Sequence, residues 1–275
     1  MKNNFQKKMM GSPNMIGVLI KPLEKKSMGS IVAKFAFPQM TSSYDHDLPL
    51  LDFVTREEMS FSVITHIRIP IRYYELGQQY PTILMCHGNA EDIGETDPIA
   101  VSREFNANIC LFDYAGYGLH SCKNPSEHAC KEDVKAVYEY LVTHKRIPQK
   151  NIVIYGRSLG TGVACYLAHY LCKRKIPNRL ILASPLMSAV KVVTDTWSPF
   201  DIFMNYALAP KITSQTLILH GTHDRVIPYS CGHNLSQLFP NLYNMIVLEG
   251  CGHNDIFVPA YYGSINDFLK NTANF

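Results

Sequence analysis

No run of this sequence approaches the ~20 consecutive apolar residues that a spanning helix needs. The longest N-terminal candidate, Met15 to Ile20, is short and interrupted by Gly17. Neither a membrane span nor a cleaved signal peptide is expected from it. An excess of one charge is equally lacking: Lys and Arg number 26 against 23 Asp and Glu, a net of +3. The basic residues are spread along the chain instead of clustered, so a nucleic-acid partner is not expected. Among the eight cysteines (Cys86, Cys110, Cys122, Cys130, Cys165, Cys172, Cys231 and Cys251) there is no C-x-x-C pair and no Cys/His group at zinc spacing. That pattern predicts neither a metal nor a disulfide framework, but reduced and mostly buried thiols in a cytoplasmic protein. Internal repeats, charge blocks and Pro/Gly/Ser-rich linkers are missing after about Ser30, which leaves nothing to mark a second domain.

What is present is material for a large core, 47% hydrophobic and 18% charged residues in a chain of 275. Residues 1–29 hold Gly, Ser, Pro, Asn and six lysines (Lys2, Lys7, Lys8, Lys21, Lys25, Lys26) without sustained periodicity, and predict a flexible basic tail. Residues 30–275 are expected to fold as one unit. Six short apolar runs lie within them: Thr82–Cys86, Asn108–Phe112, Asn151–Tyr155, Arg179–Ala183, Gln215–Leu219 and Asn244–Leu248. Continuous apolar strands of this kind are buried on both faces and belong to parallel sheets. Between the second and third runs, Ser126 can cap a helix whose Ala129, Cys130, Val134, Val137, Tyr138, Leu141 and Val142 recur at three- and four-residue spacing, before Pro148 closes the segment. The β-α-β-α rhythm predicts an α/β, mostly parallel, doubly wound sheet with helices on both faces. Phe61 to Tyr74 reads as one or two antiparallel strands ahead of it.

Catalysts on such sheets gather at the carboxyl ends of the strands. After Tyr155 comes Gly156-Arg157-Ser158-Leu159-Gly160, a G-x-S-x-G pentapeptide set between a strand and a helix. The pattern alone is weak; its context gives it weight. A serine on a tight strand-to-helix turn is held in a strained conformation that lifts its hydroxyl above the sheet edge, over the N–H groups that open the helix. The Leu159 N–H is therefore the first oxyanion-hole candidate. A seryl hydroxyl needs a base to take its proton and an acid to orient that base, in the chain order Ser, Asp or Glu, His for this architecture. Asp224 stands just past the Gln215–Leu219 run, and His253 stands in Gly250-Cys251-Gly252-His253 after the last run. Both the positions and the order fit. His87, His220, His223 and His233 are expected to be structural or surface residues, and Asp113 to shape its own loop. In His87-Gly88-Asn89-Ala90 the glycine lets the backbone approach a ligand, which makes the Asn89 N–H the second oxyanion candidate.

The chain from about Ile31 to Leu269 resembles the alpha/beta hydrolase domain-containing 17 group of serine hydrolases and its near relatives. The stretches that carry the resemblance are Ala33-Lys-Phe-Ala-Phe37, His87-Gly-Asn-Ala90, Phe112-Asp-Tyr-Ala-Gly-Tyr-Gly118, Tyr155-Gly-Arg-Ser-Leu-Gly-Thr161, Ser184-Pro-Leu-Met-Ser188, His220-Gly-Thr-His-Asp224 and Gly252-His-Asn-Asp-Ile256. G-x-S-x-G is common to many hydrolases, whereas Ser-Pro-Leu-Met-Ser and Gly-His-Asn-Asp-Ile are far more specific to this group. The resemblance implies an α/β-hydrolase fold with a small lid or none, and removal of S-acyl chains, chiefly palmitate, from membrane-associated proteins. It places Ser158, Asp224 and His253 on the group's catalytic triad. The group's lipidated N-terminal cysteine cluster has no counterpart before Cys86, so at most weak peripheral membrane contact through the lysine-bearing tail is expected.

The sequence thus predicts a serine hydrolase of acyl esters or thioesters, S-acylated proteins among them, needing no metal or cofactor. Ser158 would attack, His253 shuttle the proton, Asp224 orient His253, and Leu159 and Asn89 hold the oxyanion. A general carboxylesterase or lipase, and a non-catalytic binding protein on the same fold, are the alternatives. Ser188 to Lys211 is the one candidate lid, with Trp197, Phe200, Phe203 and Tyr206 available to line an acyl pocket.

Overall fold

Residues 37, 41–60, 63–192 and 198–271 are described in the computed structural model; the expected tail and Trp197 lie outside them. Eight strands, β1 (Leu51–Ser60), β2 (Val63–Tyr74), β3 (Thr82–Cys86), β4 (Asn108–Phe112), β5 (Ile152–Arg157), β6 (Arg179–Ala183), β7 (Gln215–Gly221) and β8 (Leu242–Leu248), form one sheet. Its order is β1-β2-β4-β3-β5-β6-β7-β8. Pairing is antiparallel for β1 with β2 and β2 with β4, and parallel from β4 to β8. The helices are α1 (Pro98–Phe105), α2 (Glu127–Thr143), α3 (Gly160–Lys173), the single turn α4 (Asn205–Leu208), α5 (Tyr229–Ser236) and α6 (Pro259–Asn271).

Strands β3, β4, β5 and β6 are buried at every position, because alternate residues of each face two separate cores. On one side Leu84, Ile154, Leu182 and Ile218 pack with Cys130, Val134 and Leu141 of α2, Val163 and Leu167 of α3, and Leu235 of α5. On the other, Ile83, Val153, Ile181 and Leu217 pack with Val101 and Phe105 of α1 and Ile265 and Phe268 of α6. Helix α2 starts where the sequence predicts: the Ala129 N–H donates to Ser126 Oγ at 3.0 Å, satisfying a donor the first turn would otherwise leave open.

One expectation needs correction, and one strand was not foreseen. The run ending at Leu248 is not buried on both faces. Strand β8 is an edge strand, half-exposed along most of its length with Val247 40% exposed, since among the described residues no further strand lies beyond it. Strand β1 has no counterpart in the apolar pattern. It is mostly exposed and is held by pairing with β2 along its whole length, so backbone hydrogen bonds define it where side-chain burial does not.

Strand β3 sits between β4, which follows it in the chain, and β5, reached only by crossing back over it. The connections leaving β3 and β5 therefore run to opposite sides, and a crevice opens between their carboxyl ends.

Candidate active site

Ser158 lies at that crevice, on the turn joining β5 to α3. Its backbone sits in the left-handed region, φ +53°, a conformation that costs a non-glycine residue energy and persists where the surroundings enforce it. Here its N–H donates to Ala183 O at 3.0 Å, while the Thr161 N–H and Oγ–H both donate to Ser158 O, at 3.0 and 2.6 Å. The turn is pinned on both sides. A side chain at Gly160 would press into the carbonyl oxygens of Cys86 and His87, so the start of α3 abuts the end of β3. Leu159 and Asn89 accordingly belong to backbone segments in direct contact. Asn89 is fixed by its own side chain, whose Oδ1 accepts from Tyr117 Oη–H at 2.7 Å and from the Ala90 N–H at 3.0 Å. Ala90, like Ser158, is left-handed, with φ +58°.

His253 Nε2 is 3.0 Å from Ser158 Oγ, and its Nδ1 is 2.7 Å from Asp224 Oδ2. A carboxylate can only accept, so Nδ1 carries the proton and Nε2 presents a lone pair to the seryl hydroxyl. The two loops meet because Gly221 has no side chain. One there would collide with the Cys251 carbonyl, and the His223 N–H donates to that same Cys251 oxygen at 2.9 Å. Asp224 is buried with the N–H groups of Val226 and Ile227 on its Oδ1, at 2.9 and 2.8 Å. Burial works against its charge, but hydrogen bonds from His220, His253 and the Ile227 N–H outweigh that and hold the carboxyl well below the usual range.

The other histidines stay apart from Ser158. His87 stacks on Tyr114, with ring centroids 4.1 Å apart. His223 and His233 are exposed. His220 is fully buried: its Nε2 lies 2.9 Å from Ile227 O and 3.4 Å from Asp224 Oδ2. Its contact with the carboxylate was not visible in the sequence, where a histidine before glycine at a strand end signals packing and a hydrogen bond to backbone. Also unforeseen is a part-buried bridge from Arg157, the first variable residue of the pentapeptide, to Glu91 and Asn254. Of the lid aromatics, Phe203 is buried against Phe37 with ring centroids 6.1 Å apart, and is packing. Phe200 is 57% exposed. Asn205 ties the segment down, its Nδ2 donating to Thr161 Oγ1 at 3.2 Å and Leu186 O at 3.0 Å. Among the described residues no group of three or more His, Cys, Asp or Glu side chains is placed to hold a metal ion, and no helix is long and apolar enough to cross a membrane.

A family model described as serine aminopeptidase, S33, matches residues 77–209. Among solved structures, the fold is similar to Est1E from Butyrivibrio proteoclasticus, described with ferulic acid bound, at TM-score 0.63 and 17% identity, covering 80% of this chain and 98% of that one. The esterase RhEst1 from Rhodococcus sp. ECU1013 is similar at TM-score 0.60 and 16% identity, over 80% of this chain and 100% of the other. These likenesses establish the α/β-hydrolase fold. In sequence, the chain is 39% identical over 192 residues to alpha/beta hydrolase domain-containing protein 17C of Xenopus tropicalis, spanning 68% of this chain but only 60% of that protein. It is 32% identical over 269 residues to the alpha/beta hydrolase domain-containing protein aho-3 of Caenorhabditis elegans, spanning 89% of this chain and 79% of the relative. With the fold, the motif stretches and these identities in agreement, the chain belongs to the alpha/beta hydrolase domain-containing 17 family of hydrolases.

Proposed function

We propose that this protein is a serine hydrolase that cleaves acyl esters and thioesters through Ser158, His253 and Asp224. The observation that carries the reading is the unbroken line of contacts from Ser158 Oγ to His253 Nε2 at 3.0 Å and from His253 Nδ1 to Asp224 Oδ2 at 2.7 Å, starting from a left-handed serine. In this reading Ser158 Oγ attacks the acyl carbonyl carbon as His253 Nε2 takes its proton. The oxyanion of the tetrahedral intermediate is held by the Leu159 and Asn89 N–H groups. Collapse breaks the bond to the alcohol or thiol, which leaves with the proton from His253. Water, deprotonated in turn by His253, then releases the acid and restores the serine. Asp224, an anion throughout, keeps Nδ1 protonated and stabilises the imidazolium that forms at each step.

The substrate class extends to S-acylated proteins, on the strength of the motif stretches shared with the 17 group. Placement in the cytoplasm, with at most weak peripheral membrane contact, belongs to the same proposal and is supported by cysteines scattered singly along the sequence and mostly buried. The test is covalent labelling by a fluorophosphonate together with hydrolysis of matched oxygen and thiol esters of increasing chain length. Wild type should label at Ser158 and turn over both ester types, and Ser158→Ala should do neither. Undiminished labelling of the variant would refute the assignment, while turnover of oxygen esters alone would leave a carboxylesterase.

A further inference from the structure

The proposed site depends on three backbone segments far apart in the chain: the loop after β3 with Asn89, the turn after β5 with Ser158, and the loop before α6 with His253. Arg157, the residue before the nucleophile, touches all three. Its side chain is 7% exposed and pairs through Nη1 with Glu91 Oε1 in the β3 loop. Through Nη2 it donates to Asn254 Oδ1 at 2.7 Å, in the residue next to His253. It also lies 5.6 Å from the centre of the Phe257 ring, further along that loop. Glu91 passes the connection on, since its Oε2 accepts the Gly88 N–H at 3.0 Å, one residue before Asn89.

We infer that Arg157 is a positioning residue for the hydrolysis proposed above, its two-armed guanidinium locking the Asn89 loop and the His253 loop in register with Ser158. The inference rests on that reading of the site and adds to it what holds the site's parts together. Arginine suits the task because its fork is planar and rigid, so one side chain donates to two loops in fixed relative geometry; a lysine ammonium, a point charge on a flexible stem, serves one. Both arms of the fork, Nη1 and Nη2, are engaged, while Nε has no hydrogen-bond partner. Burial alone would suppress ionisation of both partners, yet their attraction outweighs it, holding Glu91 below and Arg157 above their ordinary ranges. An enclosed ion pair of this kind contributes little net stability, so its value here lies in the geometry it imposes on the loops. Arg157 is too enclosed to meet a substrate, so its effect must run through the loops it joins. A displacement of about 1 Å in a base or oxyanion donor costs up to roughly 100-fold in rate.

Steady-state kinetics on a soluble acyl ester, with melting temperatures taken alongside, test this. Ser158→Ala is measured first, and its inactivity secures the underlying reading independently of Arg157. Asn254→Ala removes only the arm toward His253, on a half-buried loop. It should lower kcat roughly 10- to 100-fold with KM within about twofold and the melting temperature nearly unchanged. Asn254→Asp, which keeps an oxygen acceptor for Nη2, should recover most of the loss. Arg157→Lys should lower kcat to a similar degree, and adding Asn254→Ala to it should cost little more, because the lysine has already given up that arm. Wild-type kcat in Asn254→Ala, a loss confined to KM, or full additivity of the two changes would overturn the inference while leaving the Ser158 assignment standing. Should Arg157→Lys fail to fold, Asn254→Ala and Asn254→Asp decide the question alone.

Discussion

Two aspartates end strands of the same sheet, each buried and each beside a histidine, and their carboxyls are shifted in opposite directions. Asp224, after β7, has His253 Nδ1 at 2.7 Å and is held well below the usual carboxylate range. Asp113, after β4, has His87 Nε2 at 3.5 Å, and its carboxyl is pushed up to about 8, chiefly by burial, with Asp92 adding to the shift. The difference lies in the second nitrogen of each histidine. His87 Nδ1 is 2.8 Å from Gly88 O, a carbonyl that can only accept, so the proton sits on Nδ1 and the nitrogen facing Asp113 has none to give. Burial keeps that ring neutral as well. Asp113 is left with Tyr44 Oη–H and the Ile93 N–H, too few donors to offset the loss of water. His253 presents Ser158 Oγ to its other nitrogen, so its proton is free to face Asp224. Two backbone N–H groups and His220 then complete the anion's shell. What the histidine's far side meets thus decides whether the neighbouring aspartate is held as an anion or as a buried neutral acid.

The largest effect expected from this comparison is on turnover. Asp224→Asn should cost about 10⁴-fold in kcat, because the amide favours the wrong histidine tautomer, whereas Asp113→Asn should change kcat by less than roughly tenfold. Ester hydrolysis by the two folded variants checks this, and the reverse ranking would exchange the roles of the two sites. A smaller effect is expected at His220, whose Nε2–H is shared between Ile227 O and Asp224 Oδ2. His220→Gln should lower kcat by about tenfold, the worth of one hydrogen bond to a charged group. An unchanged kcat would show that the backbone N–H groups and His253 suffice for Asp224.

The smallest effect is on stability. The folded Asp113 holds its proton up to about pH 8, against an ordinary value of 3.8, so between those limits the native state binds a proton that the unfolded chain releases. Stability therefore falls as pH rises through that window. Asp224 has the opposite sign: its contribution is present above the ordinary 3.8 and is lost as pH falls below it. Asp113→Asn should flatten the decline in melting temperature between about pH 4 and about pH 8, with a residual slope from Glu95, which burial and nearby Glu91 and Asp92 raise to about 7. Thermal melts across that range test it. An unaltered slope would mean that Asp113 is already ionised.

Much of this molecule is written in short stretches of chain. The apolar runs that became β3 to β7, the Ser126 cap of α2, and the succession of Ser158, Asp224 and His253 after strand ends all depend on neighbours within a few residues, and such patterns are readable without the fold. Strand β1 and the edge character of β8 were not, because pairing and position in a sheet are properties of other strands. The same holds for the charges. That Asp224 is an anion and Asp113 a buried acid turns on Ser158 Oγ beside one imidazole and a backbone carbonyl beside the other, and the Arg157 bridge reaches Glu91 across 66 residues and Asn254 across 97. The sequence by itself determined which residues stand at the strand ends. Which of them hold a proton, and what keeps them in register, only the tertiary structure decided, because ionisation and orientation are set by partners in space whose identity no local pattern encodes.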